Sequence, residues 1–191
     1  MFFNKRSNWW FSSSLLVLLP FFLIPNFGHT GDMTKVLMEA IKNGDVNSVN
    51  ALITKGTDVN AADLSGNTPL IYAAKIGHSG CVKILLENGA YVNSQCNLRG
   101  TPLMWSAENG HAEIVKVLID NGADLNSCDF YGWTPLMKAV YGGHVETVQA
   151  LVEKKAKVNI KNNGGITALY IAELKAQPEI LRLLAEAGAI K

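Results

Sequence analysis

Three evenly spaced histidines are the side chains in this sequence most suggestive of chemistry. His78, His111 and His144 follow one another at intervals of 33 residues, and imidazole is both a common metal ligand and a proton carrier near neutral pH. Even spacing over so long an interval puts each ring on the same point of a repeated unit. Stacked units lie roughly 10 Å apart, too far for one metal ion to bridge. Each histidine follows a glycine at what reads as a helix start, so its expected role is structural, a cap that bonds the neighbouring backbone. Cys81, Cys96 and Cys128 are odd in number and have no zinc-like spacing. Cys81 reads as a small buried hydrophobe, while Cys96 and Cys128 fall one unit apart, beyond the ~7 Å Cα reach of a disulfide. No GxSxG, HExxH, P-loop or dinucleotide fingerprint occurs. The carboxylates are dispersed, and Glu108 and Glu113 read as solvated surface. These side chains point to no catalytic residue, no metal and no cofactor, which leaves binding.

Composition agrees. A chain of 191 residues suits one core with a targeting segment in front, and 48% hydrophobic with 17% charged residues is globular rather than disordered. Seventeen Lys and Arg against sixteen Asp and Glu leave a formal charge of +1. That is no electrostatic footprint for phosphates, so nucleic acid is excluded as the expected partner.

The elements that position these residues repeat with the histidines. Thr68-Pro69-Leu70 returns as Thr101-Pro102-Leu103, Thr134-Pro135-Leu136 and Thr167-Ala168-Leu169, each step being 33 residues. The same step joins Gly77-His78, Gly110-His111 and Gly143-His144, and carries Val82 to Val115, Val148 and Leu181. It also carries Asn60 to Asn93, Asn126 and Asn159, and Gly89-Ala90 to Gly122-Ala123 and Gly188-Ala189, with Lys155-Ala156 as the exception. A degenerate first unit keeps Leu37, Ala40, Gly44, Val49, Leu52, Gly56 and Asn60 but lacks Thr-Pro-Leu.

Within a unit, Thr68 caps a helix that Pro69 opens, and Gly77 ends it. Val82, Leu85 and Leu86 then share one face of a second helix, which Gly89 closes in the left-handed conformation. Residues 90–99 form a polar, hairpin-like finger to the next unit. One such unit buries little alone, so stability is a sum of interfaces between neighbours. Two departures stand out. Arg99 occupies the turn position of Gly66, Gly132 and Gly165, with Gly100 one place late and Cys96 in place of Asp63 or Asp129, and this predicts a different turn. Lys155 replaces a helix-ending glycine, and a left-handed non-glycine there costs about 1 kcal/mol.

The period and the Thr-Pro-Leu signature resemble the ankyrin repeat over more than four-fifths of the chain. The expected fold class is an all-α solenoid of about five helix-turn-helix units with hairpin-like fingers. The units are 30–62, 63–95, 96–128, 129–161 and 162–191, within a domain spanning 31–191. The resemblance, with the leader described next, is to ankyrin-repeat proteins of the bacterial exported type. It implies that the Gly-His pairs are structural and that partners dock on the concave face made by finger tips and first helices.

Residues 1–30 differ. Lys5 and Arg6 precede Trp9, Trp10 and Phe11, then the apolar run Leu15 to Ile24, the order of a secretory signal. The apolar run has ten residues, too short to span a membrane, whereas Trp9 to Phe27 counts nineteen. The nearest cleavage site, Asn26-Phe27-Gly28, is poor. Export with cleavage is the first reading, giving a periplasmic or secreted protein. An uncleaved membrane anchor is the second, and a mispredicted start or a cytoplasmic protein is the third.

On the expected binding face, Phe130, Tyr131 and Trp133 come from one finger and Tyr141 from the first helix behind it. Leu98 and Gly100 extend this patch on one side and Ile166 on the other. Little charge surrounds these residues in sequence, so weak salt dependence is expected. The competing reading is that the rings merely pack on adjoining fingers, and the basic finger Lys154, Lys155, Lys157 and Lys161 is the alternative site. The expected function is a non-catalytic, monomeric module that binds a protein partner. The alternatives are an accessory regulator of an extracytoplasmic enzyme and a secreted, host-directed effector.

Overall fold

Ten helices account for the regular structure of residues 30–190, which the computed structural model describes; the expected signal, anchor and cleavage site lie outside the described residues. They are α1 (Thr30–Lys42), α2 (Val46–Thr54), α3 (Pro69–Ile76), α4 (Ser79–Glu87), α5 (Pro102–Glu108), α6 (Ala112–Asp120), α7 (Pro135–Gly142), α8 (Val145–Glu153), α9 (Ala168–Leu174) and α10 (Pro178–Glu186). Odd-numbered helices stack in one row and even-numbered helices in a second, each touching its equivalent in the adjacent unit. The result is the all-α repeat solenoid that the period predicts, with no strand among the described residues.

Each first helix after α1 starts as its residues dictate. The Oγ1 atoms of Thr68, Thr101, Thr134 and Thr167 accept from the N–H groups of Ile71, Met104, Met137 and Tyr170 at 3.2–3.3 Å. Proline at the first helical position of α3, α5 and α7 has no N–H to leave unpaired. Leu70, Leu103, Leu136 and Leu169, with Leu85, Leu118, Leu151 and Leu184, are buried at every step of the period. Between the stacked first helices sit small residues, Ala40, Ala73, Ser106, Ala139 and Ala172, all buried. The single hydroxyl in that row is satisfied locally, Ser106 Oγ donating to Leu103 O at 3.0 Å.

Polar bonds then fix the register between units. Asn60, Asn93 and Asn159 each donate through Nδ2 to the carbonyl of Gly89, Gly122 and Gly188 at 3.0–3.1 Å. Their Oδ1 atoms accept from the N–H of Tyr91, Asp124 and Ile190 at 2.8–2.9 Å. The histidines do the same on the other side of the unit. Nε2 of His78, His111 and His144 bonds the carbonyl of Lys42, Lys75 and Glu108 in the preceding unit at 3.2, 3.2 and 2.9 Å. The backbone of each histidine does precede a second helix, but its ring caps nothing in that helix. This refines the expected capping role into a bond between units. The preceding glycine is needed twice: Gly77 has φ +96°, and a Cβ there would lie 2.6 Å from the ring of His111.

The fingers are bonded edge to edge. Asn97 N–H donates to Ser65 O, Phe130 N–H to Leu98 O and Asn163 N–H to Tyr131 O, at 2.9–3.1 Å. Contrary to the expectation from Arg99, the third finger makes the same turn as the others. Cys96 N–H bonds Gly100 O and Arg99 N–H bonds Cys96 O, matching Asp129 with Trp133 and Gly132 with Asp129. The backbone pattern outweighs the side-chain penalty, and Arg99 takes φ +61° where its equivalents are glycine. Lys155 is left-handed as expected, at φ +66°, and so is Ala176 at φ +51°, in the register of Gly77 and Gly143. Arg99→Gly and Lys155→Gly should each raise the denaturation midpoint by up to ~1 kcal/mol equivalent; an unchanged midpoint in urea unfolding contradicts the strain argument.

Asp63 organises the second finger, its Oδ1 accepting from the N–H of Ser65 and Asn67 at 2.8 Å. Asp129 and Asn162 repeat this pattern with Tyr131, Trp133, Gly164 and Ile166. Burial by itself would raise the Asp63 carboxyl, but the bonds from Asn67, Ser65 and the Tyr72 hydroxyl hold it below its ordinary value. A depressed carboxyl adds stability above the ordinary pKa of about 4, and that stability is lost as pH falls through the folded value. Asp63→Asn, which copies Asn162, should keep the turn and lose less stability than the parent between about pH 5 and 3; identical acid profiles would show that Asp63 does not contribute.

Candidate partner-binding face

The edge-bonded fingers and the row of first helices form the frame of the face where the aromatic residues sit. Phe130 is 62% exposed, Tyr131 57%, Leu98 54% and Tyr141 50%. Trp133 and Ile166 are half-buried and pack against the core. The six residues therefore divide into four that face solvent and two that also hold the array together.

The rings form two pairs. Phe130 meets Tyr131 edge to face at 5.4 Å between centroids, and Trp133 meets Tyr141 in the same way at 5.5 Å, the geometry that the ring quadrupoles favour. Tyr131 and Leu98 share a shallow cleft of about 80 Å³ between the third and fourth fingers, with Met104 and Trp105 of α5 and Lys138 of α7. Ile166 lines a separate groove with Lys161 and Tyr170, so it is not brought to this cleft.

The surroundings are more charged than their sequence neighbourhood suggests. Lys138 Nζ lies 3.3 Å from Glu108 Oε2 and 3.4 Å from Asp129 Oδ2, with the Asp129 side chain only 8% exposed. Glu108 is thus half-buried and ion-paired, not the solvated surface expected, and Glu113 pairs separately with Lys83 at 2.8 Å. Ammonium groups also lie on the rings: Lys75 on Trp105, Lys138 on Trp133 and Lys175 on Tyr141. The expectation of weak salt dependence, which rested on little charge near the rings, loses that basis.

Trp105 and Lys138 are the residues sequence reasoning passed over. They share one register with Tyr72 and Ile171, so a position that changes from phenol to indole to ammonium was the available signal. Tyr72 OH donates to Asp63 at 3.3 Å and Lys138 pairs with Asp129. Trp105 Nε1 instead lies close over Gly100, and this buried nitrogen has no hydrogen-bond partner among the described residues.

At the last interface a different side chain takes over the histidine's task. Gln177 stands in the register of His78, His111 and His144, and its Oε1 is unpartnered among the described residues. The carbonyl due to be bonded, Tyr141 O, accepts instead from Lys175 Nζ at 2.7 Å. That bond fixes the ammonium 3.9 Å from the Tyr141 ring centroid.

The three cysteines are free thiols, and burial pushes those of Cys81 and Cys128 up, which disfavours the reactive thiolate. No cluster of three or more His, Cys, Asp or Glu suited to a metal occurs among the described residues, and none of their helices is long and apolar enough to cross a membrane.

A family model described as ankyrin repeats in three copies matches residues 37–129 and 121–191. No curated protein matches the chain. Ankyrin repeats are generic protein-interaction modules and proteins built from them are typically non-catalytic. Bonded fingers, paired helices and the 33-residue register are their architecture, and this chain belongs to the ankyrin-repeat family.

Proposed function

We propose that the chain is a non-catalytic, monomeric binding module, exported from the cytoplasm, which docks a protein partner across its fingers and first helices. Leu98, Phe130, Tyr131 and Tyr141 make the contact, with Trp133 and Ile166 supporting them from beneath and beside. The observation that carries this reading is that these four apolar side chains, on adjoining fingers and the helix behind, each leave half or more of their surface in water. Clustered exposed apolar surface marks interaction sites, and tyrosine is enriched among residues that dominate binding energy. The edge-to-face contacts hold the rings in place beforehand, so less side-chain freedom is lost on binding. Export is supported by Lys5 and Arg6 ahead of the apolar run Leu15 to Ile24.

Two measurements test this. The triple variant Phe130→Ser, Tyr131→Ser and Tyr141→Ser should melt within a few degrees of the parent and lose the partner that the parent captures from the native envelope fraction, because truncating a central ring costs ~2 kcal/mol or more. Full capture by the folded variant overturns the site, and a collapsed melt shows that the rings are packing residues. Native protein should begin between about Phe27 and Met33; an intact N-terminus in the soluble cytoplasm overturns export.

A further inference from the structure

Ammonium groups and rings alternate along one unbroken strip of this face. Lys75 Nζ lies 4.3 Å from the Trp105 centroid, Lys138 Nζ 5.5 Å from Trp133 and Lys175 Nζ 3.9 Å from Tyr141. Trp105 and Lys138 wall the same cleft, and Trp133 touches Tyr141. The strip therefore runs from α3 in the second unit to the end of α9 in the fifth.

Its three cations are not equivalent. Lys138 at the centre is held by two carboxylates, Glu108 and Asp129, so the middle of the strip carries no spare positive charge. Lys75 and Lys175 at the ends have no carboxylate within ion-pair distance among the described residues. On the second-helix side Lys83, Lys154 and Arg182 are each paired, and Lys116 has no ion pair among the described residues. Between the two unpaired ammonium groups lies the apolar cleft of Leu98, Met104 and Tyr131.

We propose that this strip recognises an extended peptide segment of a partner protein that is acidic at both ends and apolar at its centre. The inference rests on the reading that a partner docks on this face, and adds the partner's chemistry. Three unit steps of roughly 10 Å separate Lys75 from Lys175, about 30 Å. An extended chain rises about 3.3 Å per residue, so about nine residues span the two cations. A carboxylate arriving at either end meets an ammonium already held against a ring, and Lys175 is held further by the Tyr141 carbonyl. Ordering costs at these ends are therefore reduced. At the centre, Glu108 and Asp129 repel acid while the cleft accepts an aliphatic side chain, which sets the register. A nucleic acid strand, with a phosphate at every step, fits poorly on a centre that has two carboxylates to one ammonium.

The test uses the full chain and fluorescently labelled synthetic peptides of about twelve residues, with paired glutamates at each end and a central leucine. Anisotropy should show binding that weakens at about 0.5 M salt. Peptides with lysines at the ends, or with glutamate at the centre, should bind at least ~3-fold more weakly. Lys75→Gln and Lys175→Gln should each cost ~2- to 5-fold while leaving the melt in place, glutamine keeping a donor for Tyr141 O. Lys75→Glu should restore affinity for a peptide carrying lysines at the matching end. Equal or tighter binding of the lysine-ended peptide or of a single-stranded oligonucleotide overturns the proposal, as does indifference to both glutamine variants or failure of every peptide to bind. A native partner whose capture survives both glutamine variants but is lost with Tyr131→Ser overturns the acidic chemistry and leaves the docking face standing.

Discussion

A unit of 33 residues cannot bury its own apolar stripe, and the rest of this molecule depends on handing that stripe to a neighbour in a fixed register. Burial of leucine and valine supplies the attraction, but burial is non-directional and does not say how far one unit slides along the next. Direction comes from polar groups that cross the interface: asparagine amides to the carbonyls of Gly89, Gly122 and Gly188, imidazoles to Lys42, Lys75 and Glu108, and the finger backbones to one another. The asparagine bonds and those of His78 and His111 lie at exposed positions where water would otherwise be the partner, so what they add is alignment. The histidines that look like chemistry are spent on this alignment.

Much of the fold was legible because each position answers to one constraint. Thr68 with Pro69 announces a helix start, and Val82, Leu85 and Leu86 share one helix face. The third finger was misread for an instructive reason. Glycine at Gly66, Gly132 and Gly165 suggested that the turn requires glycine, whereas the requirement is a left-handed backbone. Its bonds to the flanking fingers hold Arg99 in that conformation. Ala176 is the same effect in a register where the change from Gly143 to alanine attracted no notice. The asparagines were visible as a ladder, but their partners lie 29 and 31 residues away, and only the stacking reveals them.

The proposed face takes its aromatic residues from the sequence and its charges only from the structure. Phe130, Tyr131 and Tyr141 stand out because large rings at positions free of packing duty are conspicuous in a repeat. Lys138 and Asp129 share one unit at the spacing of Tyr72 and Asp63, but Glu108 reaches Lys138 from the preceding unit, so the full cluster exists only when two units stack. Lys75 over Trp105 is likewise a pairing between units. Properties within one unit can be read from one period, whereas those created at an interface need the geometry of two.

Lys175 joins these two levels. By bonding Tyr141 O where Gln177 has replaced the histidine, it closes the last interface with the same ammonium that caps the Tyr141 ring. Alignment and the proposed recognition thus fall to a single side chain at that end of the array, while at the Lys75 end the imidazole of His111 aligns the units on the Lys75 carbonyl and the Lys75 ammonium rests on Trp105. The distance between the two ends is set by how four units stack across three interfaces, not by any one unit. A carboxylate held at Lys175 would thus pull on a side chain that also bonds the backbone of the preceding unit, whereas one held at Lys75 would pull on a side chain that meets the following unit through the Trp105 ring.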